Sequence, residues 1–217
     1  MTDIFREIDE AVRHEQLKKL WERYGIYLVA LAFVLVLGIA GWRGYAWWET
    51  RRAAETGAAF ESAIALADAG KRQDAEAALA RVAAEGTAGY RKLARLREAA
   101  LLARHDPKAA VAAYDAIAVN PRMDKELRDL AALRAGFLLL DSAPIDEMQR
   151  RLEPLTGPKN TFRHSARELL ALAAWRAGDM AAALRWSQLI MTDGETPASV
   201  RARIEMLMAL LGTSSQS

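Results

Sequence analysis

Cysteine is absent from all 217 residues. That excludes structural disulfides, thiolate metal sites and the lipid-modified cysteine of a processed lipoprotein. Histidine is scarce: His14, His105 and His164 are the three, and no two stand at the i, i+4 spacing of helical zinc ligands. No glycine-rich phosphate loop, nucleophile elbow or histidine–acid cluster occurs. Acids such as Glu7, Asp9 and Glu10 sit on a polar arm without a shielding pocket to raise a pKa. A catalytic site, a metal and a cofactor are therefore not expected. An excess of one charge is missing too, since 30 Lys and Arg face 28 Asp and Glu. Such a balance builds no concentrated phosphate-binding field, so nucleic acid is not an expected partner. Runs of β-branched residues are also lacking, and no segment reads as a strand.

What the chain does have is one long uncharged run. Between Arg23 and Arg43 the stretch Tyr24 to Trp42 carries no charge, and from Gly25 it counts 18 residues. As a helix these extend about 27 Å, close to the roughly 30 Å hydrocarbon layer of a bilayer. Tyr24 and Tyr27 mark one end, and Trp42, Tyr45, Trp47 and Trp48 the other. Aromatics at both ends suit the two headgroup boundaries of a single transmembrane helix, taken as residues 24–46. A cleavable signal usually has a shorter apolar region and a small-x-small exit. Here the exit reads "GIAGWRGYAWW", which favours a retained anchor. Ala40 and Gly44 fall at i, i+4, a helix-packing signal within that exit. Arg6, Arg13, Lys18, Lys19 and Arg23 precede the run; Arg43, Arg51 and Arg52 follow it. That bias places the amino terminus in the cytoplasm and the carboxy-terminal region outside it. Residues 1–23 form an arm with an apolar stripe (Ile4, Ile8, Leu17, Leu20, Trp21) at helical spacing.

Residues 47–211 are rich in alanine and leucine and are broken every 15 to 20 residues. The breaks read "DAGKRQD", "AEGTAG", "RHDPK", "VNPRMD", "DSAPID", "TGPKN", "AGDM" and "TDGETP". Between them apolar residues recur at i, i+3, i+4 and i+7, the helical pattern. Asp106-Pro107 and Thr196-Pro197 each set a capping oxygen before a first-turn proline. The second helix of each pair also repeats. Ala75, Leu79 and Val82 correspond to Ala110, Tyr114 and Ile117, then to Met148, Leu152 and Leu155, then to Ala183, Ser187 and Ile190. Their leading residues are spaced 35, 38 and 35 positions apart, near the ~34-residue period of tetratricopeptide units. Met148 and Ser187 break the rule of a small leading residue and a larger one four positions on. The fold class expected is all-α: an anchor helix, then a tetratricopeptide-like α-solenoid. About four helix pairs (49–86, 87–120, 121–157, 160–194), a capping helix 197–211 and a flexible tail 212–217 make it up. Each pair needs its neighbours to cover its apolar face.

The arm ending "EQLKKLWERYG", the span that follows at once, and "FRHSARELLALAAWRAGDMAAAL" late in the chain carry a resemblance. Together they resemble the membrane-anchored tetratricopeptide-like family of the ancillary Sec-translocon subunit, in its alphaproteobacterial branch. The resemblance covers nearly the whole chain. It implies an inner-membrane protein with a periplasmic repeat domain. It further implies protein partners: the Sec channel and a membrane-anchored periplasmic chaperone resembling a prolyl isomerase. The role implied is an adaptor that hands exported chains to chaperones. Arg176-Ala177-Gly178-Asp179 matches the family's inter-helix turn, which is structural, and no binding residue is transferred from it.

A peptide-binding surface is sought on the first helices, whose faces line the concave side of such stacks. Arg91, Arg95, Arg134, Phe137 and Arg163 are the candidates. Trp175 and Trp186 read as inter-helix packing. Two other readings compete with an adaptor. One is a self-associating envelope protein that organises division or wall synthesis; the other is a tethered hydrolase or isomerase, which needs a convergent polar pocket.

Overall fold

A computed structural model describes the backbone of residues 3–214 and the side chains of residues 23–212. The apolar stripe expected on the arm and most of the expected tail lie outside the residues whose side chains are described. Among the described residues every regular element is helical. In chain order they are α1 (Asp3–Asp68), α2 (Arg72–Glu85), α3 (Ala88–Leu102), α4 (Pro107–Ala118), α5 (Lys125–Leu139), α6 (Ile145–Leu152), α7 (Arg163–Arg176), α8 (Met180–Met191) and α9 (Ala198–Ser214). A 3₁₀ turn, Glu153–Leu155, extends α6. The eight sequence breaks all fall at junctions between successive helices. The chain divides into two compact units, residues 1–55 and 56–217.

In the first unit, the uncharged run lies within α1 and its large side chains are exposed, from Tyr24 at 50% to Trp42 at 78%. It belongs to the one helix among the described residues that is long and apolar enough to cross a membrane. Apolar area of this extent left uncovered by protein calls for a lipid or protein environment. At its carboxy-terminal end Arg51 lies over the Trp47 ring at 5.5 Å and Arg52 over Trp48 at 5.4 Å. Guanidinium and indole stacked this way present one polar, aromatic collar.

In the second unit, residues 56–68 of α1 pair with α2, and α3–α4, α5–α6 and α7–α8 follow as pairs, with α9 closing the series. From α2 onward each helix packs on the next, and α5 with α7 and α7 with α9 also touch. The core consists of three successive clusters. Phe60, Leu79 and Leu101 anchor the first; Tyr114, Ile117 and Ala131 the second; Met148, Leu170, Ile190 and Ile204 the third. All twelve second-helix positions aligned by the repeat are buried, Ala75 through Ile190. Met148 is tolerated because α5 supplies the close approach instead. A Cβ built on Gly136 would sit 3.0 Å from a Leu152 methyl, so the missing side chain has moved to the partner helix. Ser187 buries a hydroxyl, which donates to the Ala183 carbonyl one turn back at 2.8 Å.

Two of the intra-pair turns use glycine in the left-handed region, Gly70 (φ 75°) and Gly178 (φ 79°). Around Gly70, Lys71 N–H donates to Leu66 O and Gly70 N–H to Ala67 O. Around Gly178, Asp179 N–H donates to Ala174 O and Gly178 N–H to Trp175 O. Both are the paired 6→1 and 5→2 closure of a helix end, which glycine accommodates without a Cβ penalty. Starts are capped as well: Asp106 accepts from Ala109 N–H at 3.0 Å and Asp179 from Ala182 N–H at 2.9 Å. Thr196 departs from the expected cap. Its buried hydroxyl donates to Ile190 O at 2.7 Å, and the Pro197 carbonyl takes the first α9 bond from Arg201 N–H.

Candidate functional site

The five candidate arginine and phenylalanine positions separate into three places. Arg91 and Arg95 share a groove that runs along α3 between α2 and α4. It consists of two adjoining hollows of about 590 and 580 Å³ that have Arg95 and Asn120 in common. The first is lined by Ala83 and Ala84 of α2, Arg91 and Lys92 of α3, and Pro121 to Met123 of the turn after α4. The second is walled by Ala80 on one side and Ala113 and Ala116 on the other, with Leu102 and Ile117 as apolar floor. Alanine at these wall positions is what opens the groove: longer side chains at helical spacing would close it.

Charge is unevenly spread along the groove. Lys92 is held by Asp124 at 2.9 Å. Arg91 and Arg122 have no ion-pair partner among the described residues. Glu98 lies in the second hollow, where burial pushes its carboxyl above the usual range and Arg95 pulls it back. Glu76 borders the same hollow and is engaged by Arg72 at 3.7 Å and His105 Nε2 at 3.5 Å.

Arg134 and Phe137 lie on α5, outside these hollows, and both are exposed. Arg134 and Arg97 stand near the Tyr114 hydroxyl, whose titration burial pushes up and these two cations oppose. Arg163 belongs to a third place and is spoken for. Its Nε donates to Asp193 at 2.9 Å, and its Nη2 donates to both Asp193 and Glu195.

Asp193 is the hub of a polar cluster joining α7, α8 and α9. The Arg163 hydrogen bonds first, then the Glu195 amide, hold its carboxyl far below the ordinary carboxylate range. Arg167, buried in α7, donates to Asp193 at 3.0 Å, to Thr156 O at 2.9 and 3.1 Å, and to Leu189 O at 3.2 Å. Arg201 of α9 donates to Met191 O and to Asp193 O. His164 Nδ1 lies 3.1 Å from Thr196 Oγ1, whose single proton already goes to Ile190 O. The imidazole therefore donates from Nδ1. The cluster's hydrogen bonds go to backbone carbonyls, to Asp193 and Glu195, and between His164 and Thr196, which makes it a structural clasp.

The clasp gives a pH prediction. Burial first, then Arg163, depresses the His164 pKa below 6.5. As pH falls below about 6.5 the unfolded chain takes up this proton before the folded one does, so stability drops with acidification. Asp193 acts lower: its contribution is intact above 3.8 and is lost only as pH falls through its depressed folded value. The urea midpoint is expected to fall between pH 7.5 and pH 5, and His164→Gln to flatten that fall. A midpoint independent of pH in this range excludes the clasp as a pH-sensitive element.

Of the tryptophans Trp175 and Trp186, the second is buried in the third cluster and Trp175 is 40% exposed on α7. Among the described residues no group of three His, Asp or Glu side chains gathers as for a metal ion. The polar links between helices recur at the repeat distance. Lys92 to Asp124, Arg151 to Asp115, Arg203 to Glu168 and Arg176 to the Asp141 carbonyl all join positions 32 to 36 apart.

Comparison with known proteins agrees with this arrangement. No curated protein and no solved structure matches the chain. Residues 18–206 match the family described as Tetratricopeptide repeat-like domain. The match takes in the end of the arm, the apolar run and all four helix pairs. The chain belongs to the tetratricopeptide repeat-like domain family.

Proposed function

We propose that the protein is a membrane-anchored adaptor that binds other polypeptides through its repeat domain and performs no catalysis itself. The observation that carries this reading is the joining, in one chain, of an exposed uncharged helical run to a stack of helix pairs with an open groove. Stacked pairs expose surface along their length while each interface is covered by its neighbour, which suits recognition of extended chains. The buried polar groups Arg167, His164, Thr196 and Ser187 are consumed in holding helices together, which argues for binding over chemistry.

The finer assignment rests on the resemblance in the arm, the span and the late repeat. It places the protein in the bacterial inner membrane with residues 1–23 cytoplasmic, 24–46 spanning and 47–211 periplasmic. Its partners are then the Sec channel and a membrane-anchored periplasmic chaperone, and its role is to pass exported chains between them. Photo-crosslinkers at Phe137 and Arg134 in the full chain, in native membranes, test this. Adducts with channel subunits or that chaperone are expected. Adducts only with lipid or with further copies of the chain count against the adaptor and favour the self-associating envelope reading. Protease added to spheroplasts is expected to degrade the repeat domain, and its survival there sinks the topology.

A further inference from the structure

We infer that the groove along α3 receives a short extended segment of a partner polypeptide, acidic where it meets Arg91 and Arg122 and apolar where it lies over Ala80, Ala113 and Ala116. The inference rests on the adaptor reading for its role and deepens it by naming the chemistry of the segment. Arg91, Arg95, Glu98 and Leu102 follow i, i+4, i+7 and i+11 and so share one face of α3. From the first to the last this face extends about 17 Å, the length of about five extended residues.

Charge sets the polarity. The hollow at the start of α3 is lined by Arg91, Lys92, Arg95 and Arg122 and by no acid. Lys92 is neutralised by Asp124 and Arg95 lies beside Glu98, which leaves Arg91 and Arg122 as two uncompensated guanidiniums. Guanidiniums pair well with carboxylates through forked hydrogen bonds, and like charge here repels a basic segment. The second hollow reverses the preference, because Glu98 and Glu76 repel a further carboxylate while Leu102 and Ile117 offer apolar contact. An acidic residue is thus accepted at one end only, and an apolar one belongs at the other. Anionic lipid headgroups share the carboxylate's attraction to arginine. However, the two cations lie in a hollow between α2 and the turn after α4 that continues into an apolar compartment. That geometry fits a polypeptide better than a flat surface.

The test uses the full chain in phosphatidylcholine nanodiscs and a fluorescein-labelled heptapeptide with two acidic residues followed by leucine and alanine. Fluorescence anisotropy is compared with the amide counterpart, in which Asn and Gln replace the acids, and with a lysine version. The acidic peptide is expected to bind about tenfold or more tightly than the amide version, and less tightly as salt rises. Arg91→Glu and Arg122→Glu are each expected to weaken binding by about tenfold with unchanged melting. Ala116→Trp, filling the apolar compartment, is expected to weaken it as well, whereas Arg150→Glu, at an exposed position on α6, leaves it unchanged. Equal binding of acidic and amide peptides, or full binding by Arg91→Glu, overturns the inference. So does displacement of the peptide by phosphatidylglycerol vesicles as readily as by unlabelled peptide. If the acidic peptide does not bind while the wild type still gives protein adducts from Phe137, this groove assignment falls and the adaptor stands. If the wild type gives no protein adducts and no peptide binding, both fall.

Discussion

Leu79→Asp is expected to lower the stability of the repeat domain by about 4 kcal/mol or more, through lost packing and the desolvation of a carboxylate in the core. Leu79 is fully buried in the first cluster, among Phe60, Ala63, Ala94 and Leu101. It is therefore placed where three helices meet, and none of those neighbours offers a hydrogen-bond donor. Leu93→Asp on α3 is the control, because Leu93 is 43% exposed and the same change of chemistry there stays near neutral. Thermal unfolding of the two variants in the same detergent separates a seam position from a surface one. A Leu79→Asp transition at the wild-type temperature removes the seam from beneath every repeat, since the corresponding positions Tyr114, Leu152 and Ser187 rest on the same alignment.

The register of the second helices was open to reading because burial there recurs with the helical period and again with the repeat. A position such as Ile117 is constrained twice, by its own helix and by its counterparts Val82, Leu155 and Ile190. The small-residue rule was less transferable. Close approach needs one missing side chain per interface, and either helix can supply it. In the third pair Gly136 of α5 does so, and Met148 is free to be large. Thr196 misled for a different reason. A hydroxyl before proline is a cap signal locally, but here Ile190 O and His164 Nδ1 compete for it from other helices and win.

The candidate site was only partly visible. Arg91 and Arg95 are one helical turn apart, so their shared face could be read from spacing. The walls of the groove could not, because Ala80, Ala113 and Ala116 look like any packing alanine until α2 and α4 are placed on either side of α3. Arg163 shows the opposite failure. Nothing in its own helix marks it as engaged, and its acceptor Asp193 comes from the turn after α8, 30 positions later. Partners that arrive from the next repeat turn are visible only as a distance in space. Even so, a faint signal existed, in that basic and acidic residues about one repeat apart pair across neighbouring units, as Arg203 and Glu168 do.

Arg167→Met is expected to cost about 3 kcal/mol, which for a domain of this size lowers the melting temperature by roughly 10 °C. Methionine keeps much of the apolar stem but donates nothing. The Thr156 carbonyl then loses two donors, and Leu189 O and Asp193 lose one each. Unpaired buried acceptors carry the larger part of the loss, because their desolvation is no longer compensated. Arg167→Lys keeps the charge but not the planar fork that serves three acceptors at once, so it recovers only part of the loss. Arg72→Met, removing an exposed pair with Glu76 at 3.7 Å, is expected to change stability by less than about 0.5 kcal/mol. The damage also has an address. Thr156 and Leu189 border α7 and α8, while α2 to α4 belong to other clusters. Hydrogen exchange is therefore expected to speed up in α7 to α9 well before α2 to α4. Uniform acceleration across all helices denies the clasp its local role, and unchanged exchange in α8 shows that Arg167 holds nothing there.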